Sequence, residues 1–238
     1  MGSLTKTHAG AAVAAPDTLT PKIQRSVLSV ENLASGITAF SLPCGAVPEL
    51  LGAGKRLFDR VKESDMGRPH VDGWIVEELF ARQAQLAVLL DRQQVIGIAH
   101  YHKTGPDAVT IRGLAVDPRY GRMKLGTVLP AIAVAHAPLV FDEVRRFECS
   151  LRVLGHAANE RSRASFERIG FVLEEPVGIS YLDGSHHNRD KMPTAEIDGH
   201  GAFIRYQRMT STDETSSRAA RFLQDWASDI LPFPAAAS

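Results

Sequence analysis

Cysteine is scarce in this sequence: Cys44 and Cys149 are the only two. A disulfide framework is thereby excluded, and no Cys/His cluster has the ligand spacing of a zinc site, so no metal is expected. Long apolar runs are missing as well. The longest, Leu129 to Phe141, contains Pro130, His136 and Pro138 and is too short and too interrupted to cross a bilayer. Excess charge of either sign is missing: 27 Lys and Arg balance 27 Asp and Glu, which argues against a generally basic nucleic-acid binder. No apolar segment precedes the small residues Ala11 to Ala15, so a cleaved signal peptide is not expected. Lys6 stands where a myristoylation signal after Gly2 requires Ser or Thr. The cytoplasm, with both thiols reduced, is the default compartment. What is present, 44% hydrophobic and 23% charged residues, is the composition of a globular domain with extensions. Residues 1–22, rich in Ala, Thr, Gly and Pro, read as a disordered tail, 23–210 as the domain, and 211–238 as a C-terminal helix and tail.

Along the chain, Gly36 to Leu42 read as a strand closed by Pro43. Pro48 opens a helix with Leu50, Leu51, Leu57, Phe58 and Val61 at helical spacing. Asp72 can cap a second helix carrying Ile75, Val76, Leu79 and Phe80 on one side. Strands Leu86 to Leu90 and Val95 to His102 flank a turn at Asp91 to Gln94, and a second turn at Gly105-Pro106-Asp107 leads to the strand Val109 to Val116. The helix from Arg122 to His136 contains Pro130, where a kink or an early break is expected. Phe147 to Leu154 form a strand and Asn159 to Ile169 a helix, with Gly170 suited to its C-terminal cap. After Phe171 to Leu173 comes a long polar insertion, Asp183 to Gly201, and then the strand Ala202 to Met209. Ser211 and Glu214 have capping-box spacing ahead of a helix with Phe222, Trp226 and Ile230 on one face. The strand–helix–strand unit in the middle makes the sheet mixed.

The informative stretch is Ile111-Arg112-Gly113-Leu114-Ala115-Val116-Asp117-Pro118-Arg119-Tyr120-Gly121-Arg122-Met123-Lys124-Leu125-Gly126-Thr127-Val128-Leu129. A strand runs into a short basic turn and directly into a helix. The first helical turn leaves backbone N–H groups unpaired and carries the positive end of the dipole, and Arg122 and Lys124 add full charges. Such a place suits a pyrophosphate. Taken alone, the stretch also reads as a plain helix start with two solvated basic residues.

Leu-Ala-Val-Asp-Pro-x-Tyr, the basic loop with Leu125-Gly126 and Leu129, and then Asn159, Ala164 and Phe166-Glu167-Arg168-Ile169-Gly170-Phe171 together resemble the motifs of the GNAT family of N-acetyltransferases. The element order from about residue 24 to 209 is similar to that fold. The resemblance implies an α/β domain with a mixed, mostly antiparallel central sheet flanked by helices, here with an added C-terminal helix. It implies that acetyl-CoA or another acyl-CoA is the co-substrate. Its pyrophosphate would sit on the backbone of Arg122, Met123, Lys124, Leu125, Gly126 and Thr127, and its pantetheine arm along Leu114, Ala115 and Val116. Asn159 and Phe166 would complete the site. A bulge in the strand would splay it from its neighbour to admit the thioester, and backbone N–H near Val116 would polarise the carbonyl. An amine acceptor would attack it.

Three positions depart from the family pattern. Lys124 replaces the first loop glycine, leaving Gly126. Phe166 occupies the place of a tyrosine that protonates the leaving thiolate. Thr110 stands near the place of a glutamate. His100 and His102, which share one face of their strand, and Tyr181 are therefore the candidate catalytic groups; two histidines on a wet sheet face is the plainer reading of the first pair. Tyr206 reads as packing, Glu148 and Arg152 as strand surface charges, and Cys149 as a small buried hydrophobe. The insertion, with His186, His187, Arg189, Asp190, Lys191, Glu196, Asp198 and His200, is expected to shape the acceptor site. The resulting expectation is transfer of an acyl group from CoA to an amine of a small molecule or protein, in a chain that does not enter membranes and is free to form a homodimer. The rival readings are a relative that binds acyl-CoA without catalysis and an interaction module without ligand.

Overall fold

Three antiparallel strands in a meander set the frame. β2 (Ile37–Pro43), β3 (Gln85–Asp91) and β4 (Gln94–Lys103) pair in order. The β3–β4 turn is short enough to force Arg92 to a φ of 56°. Leu86, Ala87, Val88, Leu89 and Leu90 of β3 are all buried, because helices cover both faces of the sheet. The computed structural model describes residues 28–32, 34–63, 76–121, 123–152, 157–174, 178–181, 196–198 and 200–228. The N-terminal tail, the start of the expected second helix and residues 183–195 of the insertion lie outside them.

On one face lies α1 (Pro48–Glu63), an amphipathic helix that buries Leu50, Leu51, Leu57 and Phe58 against Leu86, Val88 and Ile98. Lys55 and Asp59 pair on its outer side at 3.1 Å. A short α2 (Val76–Ala81) follows; Leu79 is buried whereas Phe80 is 50% exposed, so the two do not share a buried side as the spacing predicts. Asp72 and Ile75 lie outside the described residues.

On the other face lies α3 (Leu125–Val140), buried from Leu125 through Ala137 except at Gly126 and Ala135. It packs on β2 to β5, on α4 (Ala157–Arg168) and on α5 (Thr215–Ala227). The break expected at Pro130 does not occur: the helix runs through it and through Pro138. A proline at the sixth helical position forfeits one bond, to the carbonyl of Gly126. Burial of the surrounding turns, Val128, Leu129, Ile132 and Ala133, outweighs that loss.

Among the described residues the sheet has ten strands. Eight run in the order β1-β2-β3-β4-β5-β6-β10-β7, with β8 and β9 also on β10. Here β1 is Leu28–Glu31, β5 Ala108–Val116, β6 Arg146–Arg152, β7 Phe171–Leu173, β8 Gly178–Tyr181, β9 Glu196–Asp198 and β10 Gly201–Ser211. Among the described strands only β5 and β6, joined through α3, pair in parallel. This is the mixed, mostly antiparallel sheet flanked by helices that the sequence predicts, with its C-terminal helix. Strands β1, β8 and β9 add to it; β9 lies within the expected polar loop.

The expected capping box is replaced by another device. Ser211 ends β10 and its hydroxyl accepts from Phe147 N at 2.8 Å. Glu214 holds the N-cap position of α5 without a side-chain cap. Thr215 acts instead: its hydroxyl accepts from Thr212 N at 2.8 Å and donates to Gly170 O at 3.0 Å. Gly170, at φ 92°, closes α4 as expected. Of the apolar face of α5, Phe222 and Trp226 are buried; Ile230 lies outside the described residues. Asn32 Nδ2 donates to Trp226 O, tying the β1–β2 turn to α5.

One polar chain crosses the α3 side of the core. Ser41 Oγ lies 2.7 Å from Leu86 O and 2.6 Å from Tyr101 Oη, and Tyr101 Oη meets His136 Nδ1. Ser41 has one hydrogen and Leu86 O can only accept. Tyr101 therefore donates to Ser41, and His136 donates from Nδ1 to Tyr101. Burial raises the Tyr101 phenol.

Candidate functional site

The site starts from one irregular residue. Ile98 faces Ala115 and His100 faces Arg112, so the single residue Ala99 of β4 opposes two of β5, Gly113 and Leu114. Gly113 has φ 55°, the conformation of a bulge that begins on glycine. The bulge turns the strand over. Before it, Val109 and Ile111 face the α3 core; after it, Leu114 and Val116 pack there and Ala115 joins the α1 side. Pairing of β5 with β6 runs only from Ala108–Arg146 to Ile111–Cys149. Beyond Ile111 the strands part, while β6 stays paired to β10 through Arg152. The main chain of Arg112 to Val116 thus borders a cleft that opens inside the sheet.

The turn closing β5 is built by Asp117. Its N–H donates to Ile96 O at 2.7 Å. Its carboxylate accepts from Arg119 N, Nε and Nη2 at 3.1, 3.0 and 2.7 Å and lies 3.6 Å from Arg60 Nη2. Hydrogen bonds from the Arg119 side chain, chiefly, hold this carboxyl below its ordinary range. Tyr120 donates to Asp91 Oδ2 at 2.6 Å, fastening the turn to the β3–β4 hairpin. Lys124 then takes a left-handed φ of 54° at the N-cap of α3. Thr127 N and Val128 N both bond Lys124 O, at 2.8 and 3.3 Å, so the N–H groups of Leu125 and Gly126 are the ones that helix geometry leaves for an outside acceptor.

Within the candidate loop, Leu125 and Thr127 are buried, and the Thr127 hydroxyl accepts from Arg168 Nη1 at 3.1 Å. Those two side chains hold structure, and only their main chain is placed toward the loop. A Cβ on Gly126 would lie 3.3 Å from Ser165 Oγ, so this glycine also lets α4 approach α3. Met123 is half-buried against the α3 core. Arg122 lies outside the described residues. Asn159 belongs to α4, its side chain outside the described set. Phe166 is 3% exposed and packs edge-on to Phe171 at 5.1 Å; its ring is core.

His100 and His102 stack with ring centres 6.1 Å apart, on the α1 side of β4. The wet-face reading does not hold: His102 is 4% exposed, and His100 is half-buried with its ring against Gly113. Desolvation, then the charges of His102, Arg112 and Arg82, lowers His100 to about 3. Desolvation, then Arg82 and Arg112, lowers His102 to about 4. Both are neutral imidazoles at neutral pH. Tyr181 sits on β8, with β5, β6 and β10 between it and β4, so it does not join the histidines on one strand pair; its side chain is not described. Tyr206 packs over Gly178. Glu148 pairs with Arg146 at 3.0 Å. Cys149 is buried, its thiol pushed up by desolvation. Arg152 side-chain geometry and residues 182–195 of the insertion lie outside the described residues. The sequence reading left out Arg82, and it placed Arg112 only on the strand beside the two histidines, where the structure pairs it with His100.

The sequence profile described as "Acetyltransferase (GNAT) family" matches residues 55–171, the stretch from α1 to β7 that contains the bulge, the turn and both motifs. This segment is a GNAT-family acetyltransferase domain. Among solved structures, a ribosomal L7/L12 alpha-N-protein acetyltransferase in complex with coenzyme A shares this GNAT fold at a TM-score of 0.50 and 15% identity, covering 79% of this chain and 99% of that one. An IAA acetyltransferase from Bacillus cereus matches at 0.48 and 17% identity, over 74% and 98% of the two chains. A GNAT family acetyltransferase from Elizabethkingia anophelis with acetyl-CoA bound matches at 0.46 and 12%, over 74% and 97%. A comparison with curated proteins finds no significant match. Among the described residues no helix is long and apolar enough to cross a membrane, and no three His, Cys, Asp or Glu side chains are grouped to hold a metal.

Proposed function

We propose that the chain is an acyl-CoA-dependent N-acyltransferase that transfers acetyl to an amine of a small molecule or protein. The observation that carries this reading is the Gly113 bulge with the parting of β5 from β6 beyond Ile111, directly ahead of the α3 N-terminus. One exposed edge of main chain suits a pantetheine arm, which pairs like an extra strand. The N–H groups of Leu125 and Gly126, with Lys124 beside them, suit its pyrophosphate. Both are main-chain features, so they survive the departure of Lys124 from glycine.

In this reading the amine nitrogen attacks the thioester carbonyl, a C–N bond forms, the C–S bond breaks and CoA leaves as thiolate. N–H groups at the bulge would steady the oxyanion. His100 borders the apex of the cleft. An imidazole held near 3 is a weak base and serves better as a neutral hydrogen-bond acceptor that orients the amine than as its proton sink. The ammonium proton and the proton for the thiolate are then exchanged with water, and positioning supplies most of the rate. The buried ring of Phe166 favours one alternative, a relative that binds acyl-CoA without turnover.

Two measurements decide. Acetyl-CoA raises the melting temperature under both readings; release of free CoA with an amine library occurs only under the first. Failure of acetyl-CoA to stabilise the protein would overturn both.

A further inference from the structure

A groove of about 1170 Å³ lies between the β1–β2 turn, α1 and the β3–β4 turn. Its charged lining is Arg56, Asp59 and Arg60 from α1 and Asp91 and Arg92 from the hairpin. Among the described residues, none from β5, β6 or the candidate pyrophosphate loop lines it. Both carboxylates are already engaged. Asp59 pairs with Lys55 at 3.1 Å, and Asp91 accepts from Tyr120 at 2.6 Å. The guanidinium groups are less so. Arg56 and Arg92 are exposed and have no ion pair or hydrogen bond among the described residues. Arg60 has one carboxylate contact, Asp117 at 3.6 Å, and that carboxylate already takes three shorter bonds from Arg119. Arg56 and Arg60 stand one helical turn apart, where like charges repel unless an anion bridges them. Three cations from two elements thus converge on one concavity that has no anion to spare.

We propose that this groove binds a small polyanion, one that carries two or more phosphate or carboxylate groups. Arg56 and Arg60 hold one acid group between them and Arg92 a second, each through charge-assisted, fork-shaped hydrogen bonds. A monoanion fills only one of these places; two acid groups on one molecule fill both without a second loss of freedom. Gln93 and Gln94 line the same space, and their amides add neutral donors. The volume is on the scale of small-molecule sites, which run to about 1,000 Å³, so a scaffold between the acid groups has room. The site neither uses nor needs acyl-CoA and goes beyond the acyltransferase reading.

The test uses the full chain without acyl-CoA. Tripolyphosphate and citrate are each titrated against sodium chloride at matched ionic strength, and the backbone amide NMR signals are followed. The amides of Ser35, Gly36, Gln93 and Gln94 are expected to shift saturably with at least one probe; the probe that acts tells phosphate from carboxylate. Arg56→Gln combined with Arg92→Gln should weaken that binding by about tenfold, the scale of one charge-assisted hydrogen bond. Both side chains are exposed, so the unfolding midpoint should not move; if the double variant fails to fold, the amide map of the unaltered chain decides. Lys124→Asn should leave the binding unchanged. Absence of a saturable shift with either probe overturns the proposal. So does binding that the double variant leaves intact. Shifts confined to Leu125 and Gly126 and lost in Lys124→Asn overturn it too, because they put the polyanion on the α3 N-terminus. A negative result here leaves the acyltransferase reading standing, and failure of acetyl-CoA to stabilise the protein leaves this site standing.

Discussion

Gly113 meets two demands at once. Its φ is 55°, and a Cβ there would stand 2.6 Å from His100 Cδ2 and 3.6 Å from Phe58 Cζ. Gly113→Ala is expected to cost about 1–2 kcal/mol from the left-handed backbone alone, and more as His100 is displaced. Denaturant unfolding reads the first effect; loss of stabilisation by acetyl-CoA reads the second. Lys124 shares the backbone conformation but not the crowding. Asparagine tolerates that conformation, so Lys124→Asn should unfold at the same midpoint within about 1 kcal/mol while binding CoA more weakly and with a shallower salt dependence. Unchanged affinity would remove the lysine from the pyrophosphate site. The histidines predict a pH response. Unfolded imidazoles titrate near about 6.5, whereas the folded ones titrate near 3 and 4. Between those values the unfolded chain binds more protons, so stability falls as pH falls below about 6.5. His102→Gln should flatten the stability profile between about pH 6.5 and 5, above the range where most carboxylates titrate.

At the scale of elements, Pro130 offers a direct weighing of terms. A proline inside a helix costs about 3 kcal/mol against alanine, and the two ring methylenes lost on substitution are worth about 1.6 kcal/mol. Pro130→Ala is therefore expected to raise stability by about 1 kcal/mol, and a lower unfolding midpoint would show that the ring fills space that nothing else can. The sequence made α1 and the three strands β3 to β5 legible because burial repeats with a clear period: Leu50, Leu57 and Phe58 on one helix face, and a hairpin punctuated at Arg92. It hid what depends on partners. Pro130 looks like a stop until α4, α5 and the sheet are seen to hold the helix from three sides. Ser211 and Glu214 look like a capping box until Ser211 is drawn into β10 by Phe147. The α1 side of β4 looks wet until α1 covers it.

At the scale of the whole molecule, α5 closes the far face of α3. Leu223 and Trp226 are buried, and Asn32 reaches from the β1–β2 turn to the carbonyl of Trp226. Trp226→Ala should cost about 3–5 kcal/mol, measured by denaturant unfolding, and a loss under about 1 kcal/mol would mean that α5 only leans on the domain. The candidate site was partly legible: the strand, turn and helix from Ile111 to Leu129 stand in the sequence in order. The positions of Arg112 and Arg82 about the cleft were not, because they follow from a one-residue slip in pairing and from a chain reversal after α2. The parting of β5 and β6 also gives the sheet four edges in place of two. The outer pair faces the usual hazard of recruiting a stray strand. The inner pair lies within the sheet, flanked by the chain's own strands β4 and β10. If a ligand pairs with that inner edge as proposed, it reads peptide groups, and Lys124 then changes the charge beside the site without removing the edge itself.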